Sequence, residues 1–237
     1  MHIIRLVILF ALPALTSIAQ PIALPVESFT KPATNPVLKA DPSFTFTDPI
    51  SHATVQWQKA DVFNPAAIVK DGKIFVLYRC EDNPAAGYSG RTSRLGLAES
   101  TDGIHFKKHP EPVLFPADDA FRQYDYPGGC EDPRLVQTED GLYVVAYTSW
   151  NNKNARLSIA FSKDLLHWEK KGPALAKAYG GKFLDLWTKS ASMVTHFVNG
   201  KQVLAKIKGK YWMYWGESFI NLAWSENLYD WYPSVDE

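Results

Sequence analysis

Apolar residues along this chain fall in short runs bounded by turn signals, and the same pair of runs occurs three times. The first run reads GKIFVLY at 72–78, GLYVVAY at 141–147 and GKYWMYW at 209–215. Each follows a turn: Asp71-Gly72, Asp140-Gly141 and, with Lys208 in place of the Asp, Lys208-Gly209. Asp-Gly between apolar runs predicts a hairpin, because both turn positions accept positive φ. The second run reads LGLAES at 95–100, LSIAFS at 157–162 and INLAWS at 220–225. Ala98, Ala160 and Ala223 share one column and Ser100, Ser162 and Ser225 another, and an aromatic residue (Phe106, Trp168, Trp231) closes each unit six residues after its Ser. Helix-period patterns are scarce. A period of about 60–70 residues, built from strands and tight turns, predicts an all-β chain of the β-propeller type with about one blade per unit.

The units cover roughly 52–115, 125–175 and 185–235 of the 237 residues, so about three blades are present. Propellers typically close with four to eight, and an open array leaves unpaired sheet edges. The expectation is a C-terminally truncated form of a longer protein, with 52–237 as an incomplete β-propeller catalytic domain. The stretch 20–51 is rich in Pro, Ala, Thr and Ser and reads as an extended leader packing along that domain. Before it, a charged Met1–Arg5 start, an apolar run over 6–15 and the small residues of Ser17-Ile18-Ala19 predict a signal peptide over 1–19, cut before Gln20. The run is too short to span a bilayer with a stop-transfer flank, and no Cys follows it to carry a lipid. The mature protein is therefore expected outside the cytoplasm, periplasmic or extracellular, without membrane insertion.

Charge changes the picture by exclusion. Lys+Arg and Asp+Glu number 25 each, giving a formal net charge of zero and no electrostatic case for nucleic acid or an anionic membrane. Aromatic residues make up 14% of the chain, enough both to fill β-cores and to stack on the apolar faces of sugar rings. Cys80 and Cys130 read as two separate buried thiols, since nothing in their spacing fixes a bridge. There is no nucleotide loop, no zinc spacing and no Ser/His/Asp signature, so no cofactor or metal is implied. Nothing in the pattern speaks to oligomeric state.

The densest chemistry lies at 124–134, YDYPGGCEDPR. Gly128 and Gly129 permit unusual backbone angles, while Pro127 and Pro133 stiffen the segment around Glu131, Asp132 and Arg134. The reading is a loop that precedes the innermost strand of its blade. Similar positions of the other units carry Asn64, Arg79, Asn151, Lys189 and Glu217. If strand ends converge, these residues frame a polar cavity flanked by carboxylates, as glycoside cleavage requires: one carboxylic acid protonates the leaving oxygen and one carboxylate activates water.

The Gly-Gly-x-Glu-Asp-Pro-Arg stretch, the blade repeat and the segment around Lys189 resemble glycoside hydrolase family 130 over about 55–235. That resemblance implies a five-bladed propeller, with about two blades lying beyond the C-terminal side, and activity on β-mannosides as a phosphorylase or a β-1,2-mannosidase. It implies that Asp132 is the general acid, its proton passing through a substrate hydroxyl. Candidate substrate contacts are Asn64, Arg79, Glu131, Arg134, Asn151 and Lys189. Glu217 follows Tyr214-Trp215-Gly216, and Asn151-Asn152 follows Trp150, at places where a phosphorylase is expected to carry basic residues. Both departures, together with export, favour inverting hydrolysis of a β-mannoside oligosaccharide, with Glu217 acting on the attacking water. Mannoside phosphorolysis releasing mannose 1-phosphate, a non-catalytic sugar-binding propeller, and an arabinanase- or fructosidase-like hydrolase remain as alternatives.

Overall fold

The structure, a computed structural model, describes residues 29–83, 85–87 and 90–234, so the segment expected as a signal peptide, 1–19, and the start of the expected leader lie outside the described residues. The chain divides into two compact units, 1–33 and 34–237. The first is described only over 29–33, which carries no helix or strand. In the second, Phe46–Thr47 (β1) pairs antiparallel with Thr54–Val55 (β2).

Two four-stranded antiparallel blades follow. One consists of Asp61–Lys70 (β3), Lys73–Glu81 (β4), Ser93–Ser100 (β5) and Lys107–Lys108 (β6). After the single helical turn Arg122–Asp125 (α1), the next consists of Gly129–Gln137 (β7), Tyr143–Trp150 (β8), Ala155–Ser162 (β9) and Trp168–Pro173 (β10). A parallel bridge from Ser93 to Gly129 joins them. Gly129 is required there: its φ is 119°, and a Cβ would lie 2.1 Å from the Ser93 carbonyl oxygen.

The third blade is interrupted. Ala191–Met193 (β11) begins its first strand. The hairpin Thr195–Val198 (β12) and Lys201–Leu204 (β13) then leaves the sheet, and Lys206–Ile207 (β14) returns to it. Lys210–Trp215 (β15), Asn221–Ser225 (β16) and Tyr232–Pro233 (β17) complete the blade. The excursion was not anticipated, although Asn199-Gly200 at its tip, both at positive φ, is a hairpin signal. Two of the three anticipated turns have the expected form, with Asp71-Gly72 and Lys208-Gly209 at positive φ throughout. The Asp140-Gly141 turn is wider, closed by hydrogen bonds between Thr138 and Leu142.

Three apolar clusters hold these layers. Leu77, Leu95 and Leu97 of the first blade pack against Tyr143, Val145 and Tyr147 of the second. Val144, Ala146, Leu157 and Ile159 of the second pack against Met213, Trp215 and Trp231 of the third. Covered on both faces, β8 is buried at every position except the half-buried Trp150, which explains its unbroken apolar run. The remaining face of the first blade is covered by Phe46 and Trp57, with Leu38 and Phe44 beside them, so residues 38–57 pack on the blade. Arg94 fastens the segment, bonding Asp48 at 2.8 Å and Asp82 at 2.7 Å. Cys80 and Cys130 are free and buried, one in each of two different clusters. Among the described residues no helix is long and apolar enough to cross a membrane.

Candidate active site

The Glu131–Arg134 stretch differs from its expected form. It lies inside β7 rather than in a loop before it, at a bulge between Glu131 and Arg134. Asp132 sits at φ 49°, and Pro133 has no N–H to offer the ladder. The same device recurs in β3, where the register slips between Phe63 and Ala66 and Asn64 sits at φ 44°. In the third blade Ser190, at φ 52°, directly precedes β11. The pairing makes the three sites equivalent: Phe63 faces Arg79, Glu131 faces Thr148, and the Lys189 carbonyl accepts from Gly216 N–H at 3.1 Å. Asn and Asp tolerate the left-handed region, and a bulge there re-aims a side chain out of the pleat.

The re-aimed groups meet. Asn64 Nδ2 donates to Asp132 Oδ1 at 2.7 Å, and Arg79 Nη1 donates to the same oxygen at 3.1 Å. Arg79 Nη2 reaches Glu131 at 2.9 Å and Glu81 at 2.7 Å, Arg79 Nε reaches Ser93 Oγ at 3.1 Å, and the guanidinium lies 4.6 Å from the Phe63 ring centroid. Glu81, nearly fully buried, accepts at its other oxygen from Arg91 Nη1 at 2.6 Å, and Arg91 also bonds Asp61 at 2.9 Å. Burial pushes the Glu131 carboxyl above its usual range, against the pull of the Arg79 guanidinium. The hydrogen bonds from Asn64 and Arg79 both fall on Asp132 Oδ1, and Oδ2 takes none from the described residues.

Arg79, Glu81, Glu131, Trp150, Trp187 and Lys189 all line one cavity of about 320 Å³. The Trp150 and Trp187 rings meet edge to face, 5.3 Å between centroids. Gly128 makes room for Trp150, since a Cβ there would lie 2.1 Å from its ring.

Of the residues singled out from the sequence, Asn64, Arg79, Glu131 and Asp132 form one bonded group, and Lys189 lines the same cavity as Arg79 and Glu131. Glu217 stands one position beyond the place equivalent to Arg79. It is half-exposed, lies 3.7 Å from Lys189 Nζ, and does not line the cavity. Asn151 is absorbed by its own turn: its Nδ2 donates to the Gln123 carbonyl, and its Oδ1 accepts from Lys153 and Asn154 N–H. Arg134 is exposed, bonds the Pro133 carbonyl, and lines a separate cavity with Asn64 and Ser192. Sequence reasoning missed Glu81, Arg91, Ser93 and Trp187. None lies in a motif, and the first three reach the site through cross-strand neighbours.

Comparison with known proteins gives a consistent picture. Residues 29–236 match the family model of glycoside hydrolase family 130, described as β-1,4-mannooligosaccharide phosphorylase. A 1,2-β-oligomannan phosphorylase of Thermoanaerobacter sp. (strain X514) is 35% identical over 75% of this chain and 53% of the relative. A crystal structure from Bacteroides thetaiotaomicron VPI-5482, described as a glycosidase, superposes with a TM-score of 0.84 at 56% identity, covering 86% of this chain and 59% of that one. A further structure has a TM-score of 0.86 at 50% identity, covering 90% of this chain and 61% of that one. It is described by the statement that the family of mannoside phosphorylases contains glycoside hydrolases targeting β-1,2 mannosidic linkages in Candida mannan. The chain thus spans about half the length of the curated relative it matches.

Proposed function

Because the chain belongs to glycoside hydrolase family 130, whose five-bladed propeller its three blades follow, we propose that the protein acts on β-mannosides, β-1,2-linked ones first, and that it transfers the mannosyl group to water with inversion. One observation carries the choice of water: every cation lining the cavity is already engaged by carboxylates. Arg79 is held by Glu81, Glu131 and Asp132, Arg91 by Asp61 and Glu81, and Lys189 is paired with Glu217. A phosphate dianion needs basic groups free to receive it, and adjacent carboxylates repel it. In this reading Asp132 supplies the proton through a substrate hydroxyl, Arg79 and Asn64 orient it, and Glu217 acts on the attacking water from beside Lys189.

Phosphorolysis is the second reading, favoured by the family model's description and by the curated relative. Turnover of β-1,2-mannobiose with and without inorganic phosphate, with proton NMR of the first product, separates the two. Hydrolysis gives α-mannose at a rate indifferent to phosphate; phosphate-dependent mannose 1-phosphate overturns it. We further propose export, on the N-terminal pattern over 1–19. A mature N-terminus at Gln20 is the expected sequencing result, and retention of Met1 in the cell-associated protein removes the proposal.

A further inference from the structure

Two tryptophans, Trp150 and Trp187, line the same cavity as Arg79 and Glu131, and Trp187 stands on a loop between the second and third blades. That loop is fixed. Arg156 Nε donates to the Leu184 carbonyl at 2.9 Å and its Nη2 to Asp185 Oδ1 at 2.6 Å. Asn154 Nδ2 donates to the Asp185 carbonyl at 2.9 Å, and Thr188 N–H to the Ala155 carbonyl at 3.0 Å. Thr188 Oγ1 accepts from Leu157 N–H at 2.9 Å. Five hydrogen bonds thus tie 184–188 to the β9 edge of the second blade, and Trp187 rides on this tether still 44% exposed. A large aromatic ring kept half in water on an immobilised loop gains little as core. As a preorganised binding surface, it loses little freedom when a ligand arrives.

Trp150 backs it edge to face, and Trp150 in turn packs on Gly128, next to the bulged strand that carries Asp132. Lys189 Nζ stands 5.7 Å from the Trp187 ring centroid and 3.7 Å from Glu217, so charged groups able to bond hydroxyls border the ring. An apolar plate with a polar border matches a pyranose, whose C–H face is apolar and whose rim carries hydroxyls. We propose that Trp187 is the stacking platform for a second pyranose ring of the substrate, beyond the ring held at Arg79 and Asp132. The inference rests on the β-mannoside reading above and adds the residue that selects oligosaccharides over single sugars.

The test uses the full chain and its Trp187→Ala and Trp187→Phe variants, with β-1,2-mannobiose and β-1,2-mannotriose in steady-state kinetics, intrinsic fluorescence titration and thermal unfolding. In Trp187→Ala, KM is expected to rise about tenfold, outweighing any fall in kcat. Trp187→Phe should keep most of the affinity. The sugar-induced fluorescence change should vanish in both variants, and the unfolding midpoint should stay at the wild-type value. If wild-type turns over mannobiose and Trp187→Ala matches it in KM, this inference alone fails. It also fails if KM worsens only together with a lowered unfolding midpoint, which marks a packing role. A wild-type protein that neither binds nor cleaves any β-mannoside removes the functional reading and this inference with it.

Discussion

Arg79 touches Glu81, Ser93, Glu131 and Asp132 at once, and its side chain is only 14% exposed. A guanidinium presents its donors in a fixed fork, so its orientation sets that of the carboxylates around it. Glu81 is the counterweight, because it binds both Arg79 and Arg91. Glu81→Gln is expected to cost about 1–3 kcal/mol, since it removes the buried charge that pairs with the part-buried Arg79 and Arg91 guanidinium groups. It should also lower kcat by loosening Arg79; chemical unfolding and kinetics check both, and a variant with wild-type kcat would remove Glu81 from the positioning role. Asp132→Asn keeps the shape but cannot pass a proton, and turnover should fall by roughly 10²–10⁴-fold with substrate affinity nearly kept. A loss below about tenfold excludes Asp132 as the acid. Asn64 and Arg79 were legible from their places at the start and end of strands in the repeat, and Asp132 from the motif at 124–134. Glu81 and Ser93 were not, because a polar residue near a strand end carries no signal until the neighbouring strand is placed.

Each blade also repeats a turn after its third long strand, and its chemistry is local. In the second, Ser162 Oγ accepts from Asp164 and Leu165 N–H, while Asp164 Oδ1 accepts from Leu166 and His167 N–H. In the first, the hydrogen bond from His105, then the His105 and Ile104 N–H groups, hold the Asp102 carboxyl well below the usual range. At Asp164 burial opposes ionisation, but the matching bonds from His167 and Leu166 outweigh it and the carboxyl again lies low. Both folded-state values lie below the ordinary 3.8. Between the two values the unfolded chain binds more protons than the folded one. The stabilisation is therefore complete above about pH 4 and is lost as pH falls further. Asp164→Ala should cost about 1 kcal/mol at neutral pH, the exposed setting keeping it small, and should flatten the acid limb of the stability profile. An unaltered acid limb contradicts this. The third blade places Asn227 at this position, with Oδ1 accepting from Tyr229 and Asp230 N–H, so its turn keeps the geometry without the titration.

Across the whole molecule the blades are held by side chains that pass from one sheet to the next. Trp231, fully buried, packs in the cluster between the second and third blades, and its Nε1 donates to the Leu228 carbonyl. Trp231→Ala is expected to cost about 3–5 kcal/mol, with the unfolding midpoint falling by several degrees. A cost below about 1 kcal/mol would mean the blades do not depend on that contact. The three-unit repeat, the all-β character and the closing aromatics were determined by the sequence alone. Short apolar runs, turn chemistry and a regular spacing between units are local properties that each segment states for itself. The hairpin over 195–204 was equally local, and its Asn199-Gly200 signal stood outside the repeat that organised the reading. Only the tertiary structure decided that Glu131 and Asp132 lie in a bulge within β7, that Glu81 and Arg91 line the cavity beside them, that Asn151 bonds its own turn and the Gln123 carbonyl, and that Trp187 lines the same cavity as Arg79 and Glu131. These follow from register and from the packing of one blade on another, where residues many positions apart come within hydrogen-bond distance, and no pattern along a single chain records which strand will stand beside which.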